Sequence, residues 1–349
     1  MTDIHGRLIY DSTHPKPLLP HNHQFVDPIC EEAYLKCVEY EQSGLTGEQT
    51  AAVFARTLGY LISEAFDGEG QRCISEQIME YSKVDGGLAK LARIYIKHVI
   101  LRFVSKDDVD SLLCYSDAVL VEDLDYATLR FLSRMQSQNY RCPLTKTTDI
   151  YFILRKQDLD AANLLDDEAM HRAHIRCVHF MPNFEKSEVD LKVDEIPPNG
   201  EEPLILVELW RRYFCVSIKS LLASGQTFYS PVNTLGVEYE TACRINRLDI
   251  WLDHDTNPET KKMECTFDVA LDVAHITPQE VERYPQRVNL GDVRMPSMMY
   301  LKIHACISRV YAWSGLKNVF GDPGVHAEGE EAILAEITPR LAQICFSAE

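Results

Sequence analysis

The chain has 349 residues, 46% hydrophobic and 25% charged, enough for a substantial core and one or two domains. It contains no run of about 18 uncharged apolar residues, and its opening, MTDIHGRLIYDSTHPKPLLPHNH, has no apolar h-region, so neither a membrane span nor secretion is supported and an intracellular protein, cytoplasmic or nuclear, is expected. The formal net charge of −18, from 53 Asp and Glu against 35 Lys and Arg, argues against general binding to phosphate, because that affinity rests on Lys and Arg displacing condensed counterions.

In chain order, residues 1–27 carry Pro15, Pro17 and Pro20 with little periodicity, which predicts an extended or disordered arm. Ile29, Ala33 and Cys37 recur at four-residue spacing. Thr46 and Gln49 form a T-x-x-Q capping box before Val53, Phe54, Leu58, Leu61 and Ile62, and Leu88, Leu91, Tyr95, Val99 and Phe103 repeat the period. Residues 28–125 therefore read as a helical module. A short helix over 126–135 leads into Asn139 and Tyr140, where a strand is predicted through Thr145, with 150–153 as its hairpin partner. Another short strand is expected over His174–Val178. Residues 185–203, EKSEVDLKVDEIPPNGEEP, form an acidic loop insertion, and a helix restarts over 205–222. Strands are predicted over 247–252 and 263–273, and helices over 295–314 and 328–346, so that 256–349 packs on the part before it. No internal repeat is found, and the expected architecture is α+β, mostly helical with a small antiparallel sheet.

Between Tyr126 and Phe184 there are eight Lys and Arg against six Asp and Glu, with three histidines. This is a mildly basic stretch in an acidic chain, and chance along a surface accounts for it about as well as a partner does. Eleven cysteines without a CxxC pair exclude a zinc ribbon and a redox dithiol, and read mainly as small buried apolar groups.

Three pieces carry chemistry: Asn139-Tyr-Arg-Cys-Pro-Leu-Thr145, then Arg172-Ala-His-Ile175, then Ser230-Pro-Val-Asn233 with Cys243-Arg-Ile-Asn-Arg-Leu-Asp-Ile-Trp-Leu252. Their order resembles the long form of the HNH (ββα-metal) nuclease family common in fungi. There, a Cys-x-x-Thr-Gly-like segment precedes an Ala-His-Ile strand, a loop Asn and a His-x-x-Phe-Asp-like helix. Gly70–Ile78 with the helix after it, and Met295–Leu316 with His304, resemble that form's flanking helices, so the likeness spans roughly 70–320.

The resemblance implies an embedded ββα-metal core over 126–255. The activity implied is metal-dependent endonuclease cleavage of phosphodiester bonds in nucleic acid, with a divalent ion (Mg, Mn, Ni or Zn) as cofactor. His174 would be the base, since a neutral imidazole accepts a proton near neutral pH. Asn233 would fix the catalytic loop or the imidazole through its amide. Each has a plainer reading: His174 as a hydrogen-bonded core residue, Asn233 as a turn residue that satisfies nearby backbone.

The chain departs from the pattern at the metal. The helix histidine is replaced by Cys243, or by Ala242 with a one-residue shift, and the Phe-Asp pair by Asn246-Arg247. A thiol suits a softer metal than magnesium. Asp253 and His254, with Asp249 and Asp255 nearby, are substitute ligands or simply a solvated turn, and Cys142, Cys177 and His179 are a further candidate set. The alternative function is a catalytically dead HNH-fold protein, a pseudonuclease serving as a binding or interaction module whose acidic surface suits a protein partner. Trp210, Trp251 and Trp313 read as core aromatics.

Overall fold

The computed structural model describes residues 8–20, 25–44, 49–65, 67–104, 134–149, 172–182, 206–217, 232–254, 266–274, 276–290 and 296–320. The expected helix over 328–346, the insertion 185–203, the hairpin partner 150–153 and the Thr46 half of the capping box lie outside them. The described fold is mixed α and β, mostly helical with a small sheet, and compatible with α+β. The chain divides into two compact units, residues 1–10, 107–183 and 226–305 in the first and 11–106, 184–225 and 306–349 in the second. Among the described residues no helix is long and apolar enough to cross a membrane.

The second unit is helical: α1 (Pro28–Gly44), α2 (Gln49–Ser63), α3 (Gly68–Tyr81), α4 (Gly87–His98) and α5 (Leu206–Phe214). Of the four-residue period read from the sequence, Ala33 and Cys37 are inaccessible on α1, while Ile29 is only half-buried and Cys30 beside it is the inaccessible residue. Helix α3 starts where the Asp67 carboxylate accepts the Gly70 N–H at 2.8 Å, satisfying a donor that the first turn leaves open. At Gly70 only hydrogen fits, since a Cβ would stand 2.1 Å from the Tyr213 carbonyl of α5. The Tyr213 hydroxyl donates to the Leu61 carbonyl at 2.7 Å, and the Trp210 indole donates to the His98 carbonyl at 3.1 Å. Trp210 is thus a core aromatic, as expected. Helix α5 stops at Phe214, short of the predicted 222, because Cys215 turns to φ +55 and leaves helical space.

In the same unit, residues 11–20 form an extended strap held by long-range bonds. Lys16 N–H donates to the Trp313 carbonyl at 3.0 Å, the Tyr60 hydroxyl to the Lys16 carbonyl at 2.9 Å, and Leu18 N–H to Glu41 at 2.8 Å.

The first unit holds the strands: β1 (Leu8–Tyr10), β2 (Thr148–Asp149), β3 (Arg172–Ala173), β4 (Ile175–His179), β5 (Thr234–Glu238), β6 (Ile250–His254), β7 (Thr266–Asp272) and β8 (Arg287–Asn289). They are joined by α6 (Tyr239–Asn246) and α7 (Pro278–Val281). Helix α8 (Met298–Ser314) lies across the division at Ala305, and α9 (Leu316–Phe320) follows it in the second unit. Strand β7 is central, paired antiparallel to β6 and β8 and parallel to β1. The sheet is therefore mixed, not purely antiparallel, because β1 reaches β7 through a connection long enough to cross over. Ile250, Leu252, Phe267, Val269 and Leu271 share one buried face, and Trp251 lies on the other beside Ala270, where the Tyr10 ring packs 4.7 Å from its own.

The predicted strand before Thr145 is absent. Asn139 and Tyr140 take φ of 51° and 55°, and the chain then makes a tight turn in which the Cys142 carbonyl accepts Lys146 N–H at 2.9 Å. Arg141 instead bridges to Thr148, which opens β2. Two left-handed residues in succession cannot extend a strand, and neither Asn nor Tyr announces that conformation strongly enough to be read from sequence.

Candidate functional site

Strands β4 and β5 run antiparallel in register from Ile175 opposite Glu238 to His179 opposite Thr234, and α6 follows β5 with no linker. His174 stands just before this ladder. Its carbonyl accepts the N–H of Tyr239, the first residue of α6, at 2.8 Å, while its side chain is exposed. The two residues before it, β3, pair parallel with β2. The Ile175 N–H after it is donated to the Asp149 carboxylate at 3.2 Å. Backbone bonds thus fix His174 on both sides, and its imidazole is not the buried core group of the plainer reading.

Cys243 lies one turn beyond Tyr239 on α6, on the face that begins beside His174. It is half-buried, and burial pushes its thiol up, opposed by the nearby Arg247 and Arg244 and by hydrogen bonding to Tyr239. Ala242, the alternative alignment, is fully buried core. The Arg176 guanidinium sits 5.8 Å from the centre of the Tyr239 ring, a cation–π contact at the same end of the ladder.

Asn233 is at the other end. By register it stands opposite Phe180, six residues along the ladder from the His174–Tyr239 row, a separation of about 20 Å at the rise of an extended strand. Its side chain is buried and grips one peptide: Oδ1 accepts Met181 N–H at 2.7 Å and Nδ2 donates to the Met181 carbonyl at 3.2 Å. Its amide holds the Met181 backbone, at the end of the ladder away from His174.

Gln138 is a second clamp that the sequence reading missed. Its amide donates to the Gly236 carbonyl at 2.7 Å and accepts Gly236 N–H at 2.8 Å, closing the free edge of β5. Gly236 permits this approach, since a Cβ there would meet Met135 Sδ at 2.8 Å.

Helix α6 is locked by two arginines. Arg244 contacts Asp249 at 3.4 Å and Glu280 at 2.7 Å, and Arg283 pairs with Glu238 and Glu240. Glu280 is also half of the Thr277 capping box of α7. Although burial raises its pKa, hydrogen bonds from Thr277 and the Arg244 guanidinium hold it down to about 2. These carboxylates are committed to the scaffold.

The substitute ligands lie on another element. Asp253 is partly exposed on β6 opposite Asp268, which Arg287 binds at 2.7 Å, and His254 ends β6 opposite Phe267. The side chain of His254 and all of Asp255 fall outside the described residues. Cys142 is buried and its sulfur accepts Thr145 N–H at 3.4 Å. Burial raises Cys177 to about 11 and lowers His179 to about 3. Among the described residues no group of three or more His, Cys, Asp or Glu is placed to hold a metal ion. A half-buried thiol whose burial disfavours the thiolate, with Arg247 close by, does not fit a divalent cation.

No protein-family model, curated protein or solved structure matches the chain.

Proposed function

We propose that the β4–β5–α6 segment is an HNH-type (ββα) unit and that the protein hydrolyses phosphodiester bonds in nucleic acid, with His174 as general base. The observation that carries this reading is the presentation of His174. An exposed imidazole is held by bonds on both sides of its peptide, at the point where a strand pair passes directly into a helix. An imidazole so placed takes the proton from an attacking water while its backbone stays fixed, which is what proton transfer in the transition state requires. The Arg176 guanidinium, on the same ribbon face two residues on, supplies positive charge for a phosphate oxygen. Any divalent ion would have to be held outside Cys243, with Asp253 and His254 as the remaining sequence candidates.

Incubating the purified chain with supercoiled plasmid and Mg, Mn, Ni or Zn in turn tests this. Nicking that His174→Ala protein does not show is expected; equal nicking by both, or none with any ion, ends the reading.

Two observations favour a second reading. The helix position that carries a histidine in the family holds the raised thiol of Cys243, and the chain has a net charge of −18. Both suit a pseudonuclease that binds a protein partner through an acidic surface. A stoichiometric partner retained at moderate salt by the wild-type chain, together with absence of nicking, would select it.

A further inference from the structure

We propose that Asp149 is a positioning residue for His174. The inference rests on the reading of His174 as a reactive side chain. Asp149 is fully buried at the end of β2. Its backbone pairs in register with Ala173, the residue before His174, and its own N–H donates to the Tyr140 carbonyl at 2.9 Å. Its carboxylate reaches past His174 to accept the N–H of Ile175 at 3.2 Å. One residue therefore holds the chain on both sides of the imidazole, through its backbone before it and through its side chain after it.

The bond occurs where one ladder gives way to the other: among the described residues β4 pairs with β5 in register from Ile175 onward, and β3 pairs with β2 as far as Ala173. His174 is the junction between two two-stranded ladders; its own carbonyl is tied to Tyr239 on the β5 side, and the Asp149 carboxylate ties the next peptide back to β2. A carboxylate oxygen accepting an amide N–H away from water makes a directional bond that is costly to lose, so the direction in which the ring of His174 leaves the chain is constrained by a side chain 25 residues earlier in sequence.

The test uses the full chain with histidines labelled at the ring carbons, in wild-type, Asp149→Ala and Asp149→Asn forms, with melting curves to establish that each variant is folded. Asparagine keeps an oxygen that can accept the Ile175 N–H; alanine does not. The expected result is that Asp149→Ala displaces the His174 ring resonance and speeds hydrogen exchange at the Ile175 amide, while Asp149→Asn leaves both near wild-type. In the nicking assay Asp149→Ala should lower kcat by about tenfold to a hundredfold with little change in KM, and Asp149→Asn should recover most of it. A residue that merely stabilises the fold would lower the melting temperature without moving the ring resonance.

Should Asp149→Ala fail to fold, the exchange rate of the Ile175 amide in wild-type and Asp149→Asn protein decides: slow exchange in both supports the proposal, and fast exchange in wild-type overturns it. An unmoved His174 resonance in folded Asp149→Ala, or an Asp149→Asn variant as impaired as Asp149→Ala, also overturns it. Because the ring resonance is read without any reaction, a chain that nicks nothing sinks the nuclease reading and leaves this inference to be decided on its own readout.

Discussion

The two ends of β4 hold two histidines that the physics of burial treats in opposite ways. At the start of the strand His174 is exposed, and its carbonyl accepts the Tyr239 N–H. At the end, His179 has its Nε2 shut off from solvent and burial alone lowers it to about 3. Close to that end, the His304 ring lies edge-on to Phe180 at 5.4 Å, is 2% exposed and is lowered to about 4, again chiefly by burial. Asn233 is also there, its amide closed on Met181. One end of the ladder is thus built to be stable and the other to present a side chain. The lesson is that residue type in a strand does not assign a role; the partners around it do.

Acid should break the comparison most strongly. His179 and His304 are neutral in the folded chain, and on unfolding they regain an ordinary value near 6.5. Below that pH the unfolded state binds protons that the folded state refuses. Their contribution is therefore fully present above about pH 6.5 and declines as pH falls toward 4, by up to about 1.4 kcal/mol per pH unit for each ring. Urea unfolding at a series of pH values checks this, and a flat profile between pH 6.5 and 4.5 would show that neither ring is held neutral.

Next in size is Asn233→Ala. It strands the buried N–H and carbonyl of Met181, and a cost of about 3 kcal/mol is expected from the loss of two buried partners. Equilibrium denaturation reads it; a cost under about 0.5 kcal/mol, the size of an ordinary surface change, would mean that the clamp closes nothing. The smallest effect belongs to His174→Ala. With an exposed ring and its backbone bonds intact, the variant should unfold within about 0.5 kcal/mol of wild-type. A large loss would place His174 in the scaffold with His179 and remove the contrast between the two ends.

Part of this was legible in the sequence. The helix carrying Ala33 and Cys37, the strand after His174, the strands around Trp251 and Phe267, and the helix ending at Ser314 all follow from period and β-branched content, since each buries a face that the sequence marks as apolar. The motif pieces also put Cys243 on a helix, as α6 does. What could not be read is long-range or conformational. The turn at Asn139 and Tyr140 depends on positive φ, and the parallel pairing of β1 with β7 joins segments far apart in sequence. Asp149 and Gln138 act through single contacts with Ile175 and Gly236, and no spacing rule marks a carboxylate that will bridge two ladders. The separation of Asn233 from His174 follows from register, which a sequence leaves open until both strands are placed.

The most direct test of the account pairs activity with stability in one variant: single-turnover cleavage of supercoiled plasmid by wild-type and His174→Ala protein, with each preparation's denaturation curve measured alongside. The account predicts superimposable denaturation curves and cleavage by the wild-type chain alone. Cleavage at equal rates by both would contradict it, as would a His174→Ala chain that loses its activity only because it has lost its fold.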